Sequence, residues 1–316
     1  VPMLAQWLPY RSYDAKHEVF YNTDSIAFAI EIAPLLGADE RTGDILAQFL
    51  SEGVPSSSRV QILAFQSPRV GDIIGRYAVP RFMAGGVHRK IAEHRARFLR
   101  EGAWTSMSRD GPFHVRHHRI ILSVSARIGK LSVEELVAVR EGIVSLLQSI
   151  SVPSTPLSPV ELIALLDDLT APAFDVSDHM TEYSPLDPIA DQCMRRDVQT
   201  VVQADRLLVS VEPLRAVTNL AGATTYEEIK PDAFDYRFFS VRNFPQRWAP
   251  WDVQKVIGDM FSDKLRPGCP TLTSLCLCYQ DEEAASSKAG YKFMRTTSLA
   301  DSRSSRMLPQ LNDQSR

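Results

Sequence analysis

The chain has 316 residues, of which 44% are hydrophobic and 23% charged, with a formal net charge of -3. That composition is ordinary for a globular protein, long enough for two domains, and too nearly neutral for one that coats nucleic acid or membrane along its whole surface. No apolar run is long enough to span a bilayer, no charged-then-apolar leader opens Val1 to Tyr10, and Cys193, Cys269, Cys276 and Cys278 form no disulfide framework or CxxC pair, so a soluble chain in a reducing cytoplasm is expected.

Alternation from Glu18 to Pro34 predicts two short strands, Val19 to Asn22 and Ile26 to Ile32, around a polar turn at Thr23-Asp24. Asp39 stands where an N-cap belongs, and Ile45, Leu46, Phe49 and Leu50 follow at helical spacing until Gly53 and Pro55 stop the helix. Val60 to Phe65 reads as the next strand, which completes a strand, strand, helix, strand unit. A helical region is expected from Val70 to about Glu101, interrupted near Pro80 and at Gly85-Gly86, before a loop at Arg109 to Pro112 and a strand from Val115 to Ser125. Ser132 with Glu135 makes a capping box ahead of the stripe Leu136, Val139, Ile143, Leu146 and Ile150. Ser158-Pro159-Val160-Glu161 repeats that signal, with Pro at the first helical position, before Leu162 to Leu169.

Six of the 20 prolines fall between Ser151 and Thr200, which marks a joint between halves. Beyond it Val201 to Val211 and Tyr236 to Val241 read as strands, Val253 to Phe261 as a helix, Thr271 to Tyr279 as a returning strand and Asp281 to about Arg295 as a helix. The same element order has then occurred twice. The expected class is α+β, with two strand-strand-helix-strand layers, mostly antiparallel sheets and helices on one face of each, joined by a proline-rich, helical connection. The expected units are a first α+β docking subdomain at 1–150, the connection at 151–200, a second α+β subdomain at 201–297 and a polar lead at 298–316.

Nucleotide chemistry lacks its signature. A phosphate-cradling loop reads GxxxxGK[ST], and the nearest string, Gly129-Lys130-Leu131, has Val124 in place of the first Gly and Leu131 in place of the hydroxyl residue. GxSxG and HExxH are absent too, and Asp167-Asp168 and Glu282-Glu283, adjacent on expected helices, diverge too far to act on one atom and read as solvated faces. His114, His117 and His118 crowd a strand entry, but successive strand residues point to opposite faces, so no metal site is assigned. Cys276 and Cys278 share a strand face and read as inert buried thiols, since no cationic neighbourhood favours a thiolate. Gly85-Gly86 before a helix start is at most a weak anion-binding turn. No catalytic, cofactor-binding or metal residue is named.

Binding features are better defined. From Arg81 to Arg119 nine basic residues face three acidic ones, and Arg89, Lys90, Arg95, Arg97 and Arg100 are the candidates for contact with phosphates or anionic headgroups, against the alternative of a solvated helix face. Aromatics suited to base stacking are sparse there, so single-strand nucleic acid is not favoured. Trp7, Tyr10 and Tyr13 precede the first expected strand, and Arg247, Trp248 and Trp251 sit between prolines in an expected loop; both groups are candidate partner-docking residues.

Two phrases, Leu8-Pro9-Tyr10-Arg11-Ser12-Tyr13-Asp14 and Phe28-Ala29-Ile30-Glu31-Ile32-Ala33-Pro34-Leu35-Leu36-Gly37-Ala38-Asp39-Glu40, stand in order with Gln61-Ile62-Leu63, Lys292-Phe293-Met294-Arg295-Thr296-Thr297 and Leu308-Pro309-Gln310-Leu311. With them the chain resembles the amino-terminal region of the TraC family, the VirB-type ATPases of F-like conjugative type IV secretion systems. The resemblance implies a cytoplasmic ATPase at the bacterial inner membrane that powers pilus assembly and DNA transfer, with a docking part followed by a RecA-like motor. This chain, which opens on Val and closes on a polar tail, would be the docking part, non-catalytic by itself, with ATP and Mg²⁺ expected only in a missing domain. Expected partners are inner-membrane subunits of the secretion channel and further copies of the chain, with membrane contact peripheral and indirect. The competing expectation is a stand-alone nucleic-acid-binding protein that uses the basic stripe 81–119 and binds with steep salt dependence.

Overall fold

A computed structural model of the chain describes residues 4–35, 40–109, 111–170, 182–193, 199–204, 206–210, 215–218, 224–227, 234–241, 268–280 and 286–294. After a 3-10 turn at Leu4–Trp7 come β1 (Tyr10–Asp14), β2 (Val19–Asn22), β3 (Ser25–Ile32), α1 (Glu40–Glu52) and β4 (Ser58–Ser67). Two helices follow, α2 (Gly71–Ala84) and α3 (Gly86–Glu101), then β5 (His117–Arg127), α4 (Val133–Ser149), β6 (Ser154–Pro156), α5 (Pro159–Thr170) and the short α6 (Ile189–Gln192). Five short strands, β7 (Gln199–Val202), β8 (Leu207–Ser210), β9 (Arg215–Thr218), β10 (Thr224–Glu227) and β11 (Phe234–Tyr236), precede β12 (Thr271–Cys278). The class is α+β with antiparallel sheets.

The large sheet has seven strands in the order β1-β2-β3-β5-β4-β12, with β6 beside the end of β3. Along β3 full burial strikes every second residue, Ile26, Phe28, Ile30 and Ile32, as the strand period of two requires. Those residues join Val60 and Val124 under Leu136, Val139, Ile143 and Leu147 of α4, with Phe49 and Leu50 of α1 at the margin. The opposite face carries Phe20, Phe65 and Ile121 against Leu162, Ile163 and Leu165 of α5, with Ile189 and Cys193 beside them. Helices therefore cover both faces, where the sequence placed them on one. Both capping boxes form: Ser132 and Glu135 bond each other's backbone N–H, and so do Ser158 and Glu161.

Element placement departs from the sequence expectations in several places, among them the strand expected at Tyr236 to Val241, which is Phe234–Tyr236 instead. Tyr10–Asp14, expected as a lead-in, is a strand paired with β2. The stretch expected as a connection supplies β6 and α5 to the large sheet and its cover. Thr271–Cys278, expected within a second unit, pairs residue for residue with β4, from Thr271 against Gln66 to Cys278 against Arg59. Finally, Val201 to Val211 splits into β7 and β8, which fold back on each other and carry β11, a separate three-stranded sheet. Residues 286–294 are helical. The expected N-cap Asp39, the helix Val253 to Phe261, the pair Glu282-Glu283 and the lead 298–316 lie outside the described residues.

Candidate docking surface

Between β4 and β5 the chain leaves the sheet as a helical hairpin. Helix α2 continues through Pro80, an exposed residue whose missing N–H and ring costs a helix interior about 3 kcal/mol, and the break comes only at Gly85 and Gly86. Their φ angles of 69° and 55° lie in the left-handed region that glycine enters without steric penalty, which turns α3 back along α2. Burial in the hairpin is confined to a narrow inner stripe, Ile74 and Ala78 on α2 and Ala92 on α3, over a small cluster of Val70, Ile74 and Ala103. Toward the tip that stripe ends. From residue 79 to residue 91 every residue is exposed except Gly85, which is half-buried, and Met83 is 84% and Val87 69% exposed. Val79, Phe82 and Ile91 complete an apolar tip.

The root of this arm is ionic. Arg69, in the turn from β4 to α2, donates to Asp167 Oδ2 at 2.9 Å and lies 3.4 Å from Asp168 Oδ1, while the buried Ser67 hydroxyl donates to Asp168 Oδ2 at 2.6 Å. Burial pushes the Asp168 carboxyl above its ordinary value, against the pull of the Ser67 hydrogen bond and of the Arg69 and Arg119 guanidiniums. Tyr236 of β11 donates to Leu169 O at 2.5 Å, and its burial, with Asp168 close by, raises the phenol well above its usual range. Arg119 on β5 holds Glu31 on β3 through two bonds of 2.8 and 2.7 Å. Burial alone would raise Glu31, but those bonds and the guanidinium charge outweigh it and hold the carboxyl below its ordinary value. The network ties the arm's first turn, the end of α5 and the small sheet together.

The sequence-named residues separate accordingly. Arg89, Lys90, Arg95, Arg97 and Arg100 are all exposed on α3; Arg89 pairs with Glu93 at 2.8 Å, and Arg95 and Arg81 approach the Tyr77 ring at 5.5 and 3.9 Å from its centroid. Farther along the stripe Arg116 donates to Ala103 O and Gly268 O, and Arg119 is committed to Glu31, so the basic run divides into an exposed helical part and a part used by the fold. Trp7 is 64% exposed, whereas Tyr10 and Tyr13 pack against the core beneath α5. Arg247, Trp248 and Trp251 lie outside the described residues.

Two expectations are corrected. Asp167-Asp168 is no solvated face: Asp168 is buried on Ser67, a partner 101 residues away in sequence and therefore invisible to local pattern. Cys276 and Cys278 are exposed on the outer strand, and the buried thiol is Cys193, pushed up to about 12 by burial. Sequence reasoning named the basic residues of the arm but not its apolar tip. The available signal was Phe82-Met83, one residue ahead of Gly85-Gly86, large apolar side chains at a turn where polar residues are usual. Among the described residues no group of three or more His, Cys, Asp or Glu is placed to hold a metal ion, and no helix is long and apolar enough to cross a membrane.

With that geometry in view, comparison with known proteins gives a consistent result. A family model described as "TraC protein" matches residues 4–316. The protein named "Protein TraC" of Escherichia coli (strain K12) is 24% identical over 310 residues, which are 93% of this chain and 33% of that protein, so the chain spans about a third of the relative's length.

Proposed function

The chain belongs to the TraC family, and from that membership we propose that it acts in type IV conjugative transfer as a non-catalytic docking and assembly module of a larger ATPase, at the cytoplasmic face of a bacterial inner membrane. The observation that carries the proposal is a match over residues 4–316 in a sequence with no GxxxxGK[ST] loop. An exposed helical arm and an exposed Trp7, both outside the sheet's own cover, supply surfaces for partners. On this reading ATP and Mg²⁺ are held by residues outside this chain, and the partners are inner-membrane subunits of the secretion channel and further copies of the chain, with pilus assembly the process served.

The test is capture of detergent-solubilised inner-membrane secretion subunits by the purified chain, run beside an ATP-hydrolysis assay. Selective capture without turnover is the expected outcome. Hydrolysis that survives removal of contaminating ATPases, or failure to retain any of those subunits, overturns it.

A further inference from the structure

The arm combines two features that independently point to one kind of surface. Its tip presents Val79, Phe82, Met83, Val87 and Ile91 to solvent, a cluster that gains by leaving water. Around it stand Arg89 and Lys90, with no acidic residue between Asp72 and Glu93, while Arg81 is turned back on Tyr77, donating to its carbonyl oxygen at 2.6 Å. Arg89 and Lys90 follow Gly86 by three and four residues, about 5 Å along the helix at about 1.5 Å per residue. Basic residues set back by that distance from the turn, behind Phe82, Met83 and Val87, match a helical tip whose apolar end enters the acyl boundary while its cations stay at the headgroups, where interfacial helices bury their apolar side by about 5 to 10 Å. The pair of Arg89 with Glu93 is surface-exposed and easily exchanged for a phosphate.

We propose that the tip of the α2–α3 arm inserts into the surface of a bilayer containing anionic lipid, with Phe82, Met83 and Val87 at the acyl boundary and Arg89 and Lys90 on the lipid phosphates. The tip is convex, which suits a deformable bilayer. Its five side chains fall short of the roughly 800 Å² per partner that a stable protein interface buries, which disfavours a second copy as the occupant. The inference rests on the docking reading for its membrane setting and goes beyond it, because the contact is direct and made by lipid.

The experiment is flotation of the 316-residue chain with vesicles of equal parts phosphatidylglycerol and phosphatidylcholine, beside vesicles of phosphatidylcholine alone. Binding to the anionic vesicles is expected, falling roughly tenfold or more on neutral ones and in an Arg89→Gln, Lys90→Gln variant, since each basic residue at a charged surface contributes about fivefold. A Phe82→Glu, Met83→Glu variant is expected to lose binding while its circular dichroism and thermal unfolding stay unchanged, and Met83→Trp fluorescence is expected to be quenched by brominated lipid. Absence of binding, binding that survives the Phe82→Glu, Met83→Glu change, or binding without quenching overturns the proposal. So does concentration-dependent self-association that this variant abolishes, which would assign the tip to a second copy. Subunit capture in detergent tests the docking reading separately: capture without vesicle binding sinks only the lipid contact, and vesicle binding without capture sinks only the docking reading.

Discussion

Phe28 in the middle of β3 and Met83 at the end of α2 are both large apolar side chains, yet the first is 1% exposed and the second 84%. The difference separates two regions. In the sheet body, β3 lies between β2 and β5, with α4 on one face and α5 on the other, so its apolar residues are consumed by the fold. In the arm, among the described residues, the two helices pack mainly on each other; a single inner stripe is used, and the outer apolar residues remain exposed. Residues of the body thus set stability, and residues of the arm tip are free to set binding.

Substitutions can break or sharpen that contrast. Phe28→Ala, which empties a fully packed position, is expected to cost about 3 to 5 kcal/mol, read as a lower midpoint in urea unfolding. Arg69→Met at the arm's root leaves Asp168 buried without its cation and is expected to cost roughly 3 kcal/mol, which would place the root with the body. Ser158→Ala removes the α5 N-cap for about 1 kcal/mol. Met83→Ala and Val79→Ala are expected to change stability by less than about 0.5 kcal/mol, as exposed positions do. A tip substitution that destabilised the chain as much as Ser158→Ala would erase the distinction.

The two carboxylates of the root region should respond to pH with opposite sign. Glu31 is held below its ordinary value when folded, so its contribution is full above the ordinary carboxylate range and is lost as pH falls through the lowered folded value. Asp168 is held above its ordinary value, so its contribution is full below that range and declines as pH rises through the raised folded value. Glu31→Gln should therefore cost most at neutral pH, and Asp168→Asn should cost more in acid than at neutral pH. Urea unfolding of both variants across the acid range checks the pair, and parallel profiles would contradict the assignment.

What the sequence disclosed follows the range of the interaction. Strand β3 and the caps at Ser132 and Ser158 were legible because alternation and a three-residue capping box are local. The pairing of β12 with β4 was not, because Thr271 and Gln66 meet only through the fold, and the burial of Asp168 was hidden for the same reason. Pro80 misled in a simpler way: on the exposed side of α2 its cost is tolerated, so of the two expected interruptions only the one at Gly85-Gly86 occurs. At the candidate surface, charge was readable from composition. Exposure of the apolar tip was not, since it depends on tertiary packing rather than on local pattern.

The most direct test is hydrogen–deuterium exchange of the chain with and without phosphatidylglycerol vesicles. Protection on vesicle addition is expected in residues 79–91, with the strands of the large sheet already slow to exchange and unchanged. Protection spread over the sheet body, or none in the arm, would contradict the division of labour between the two regions.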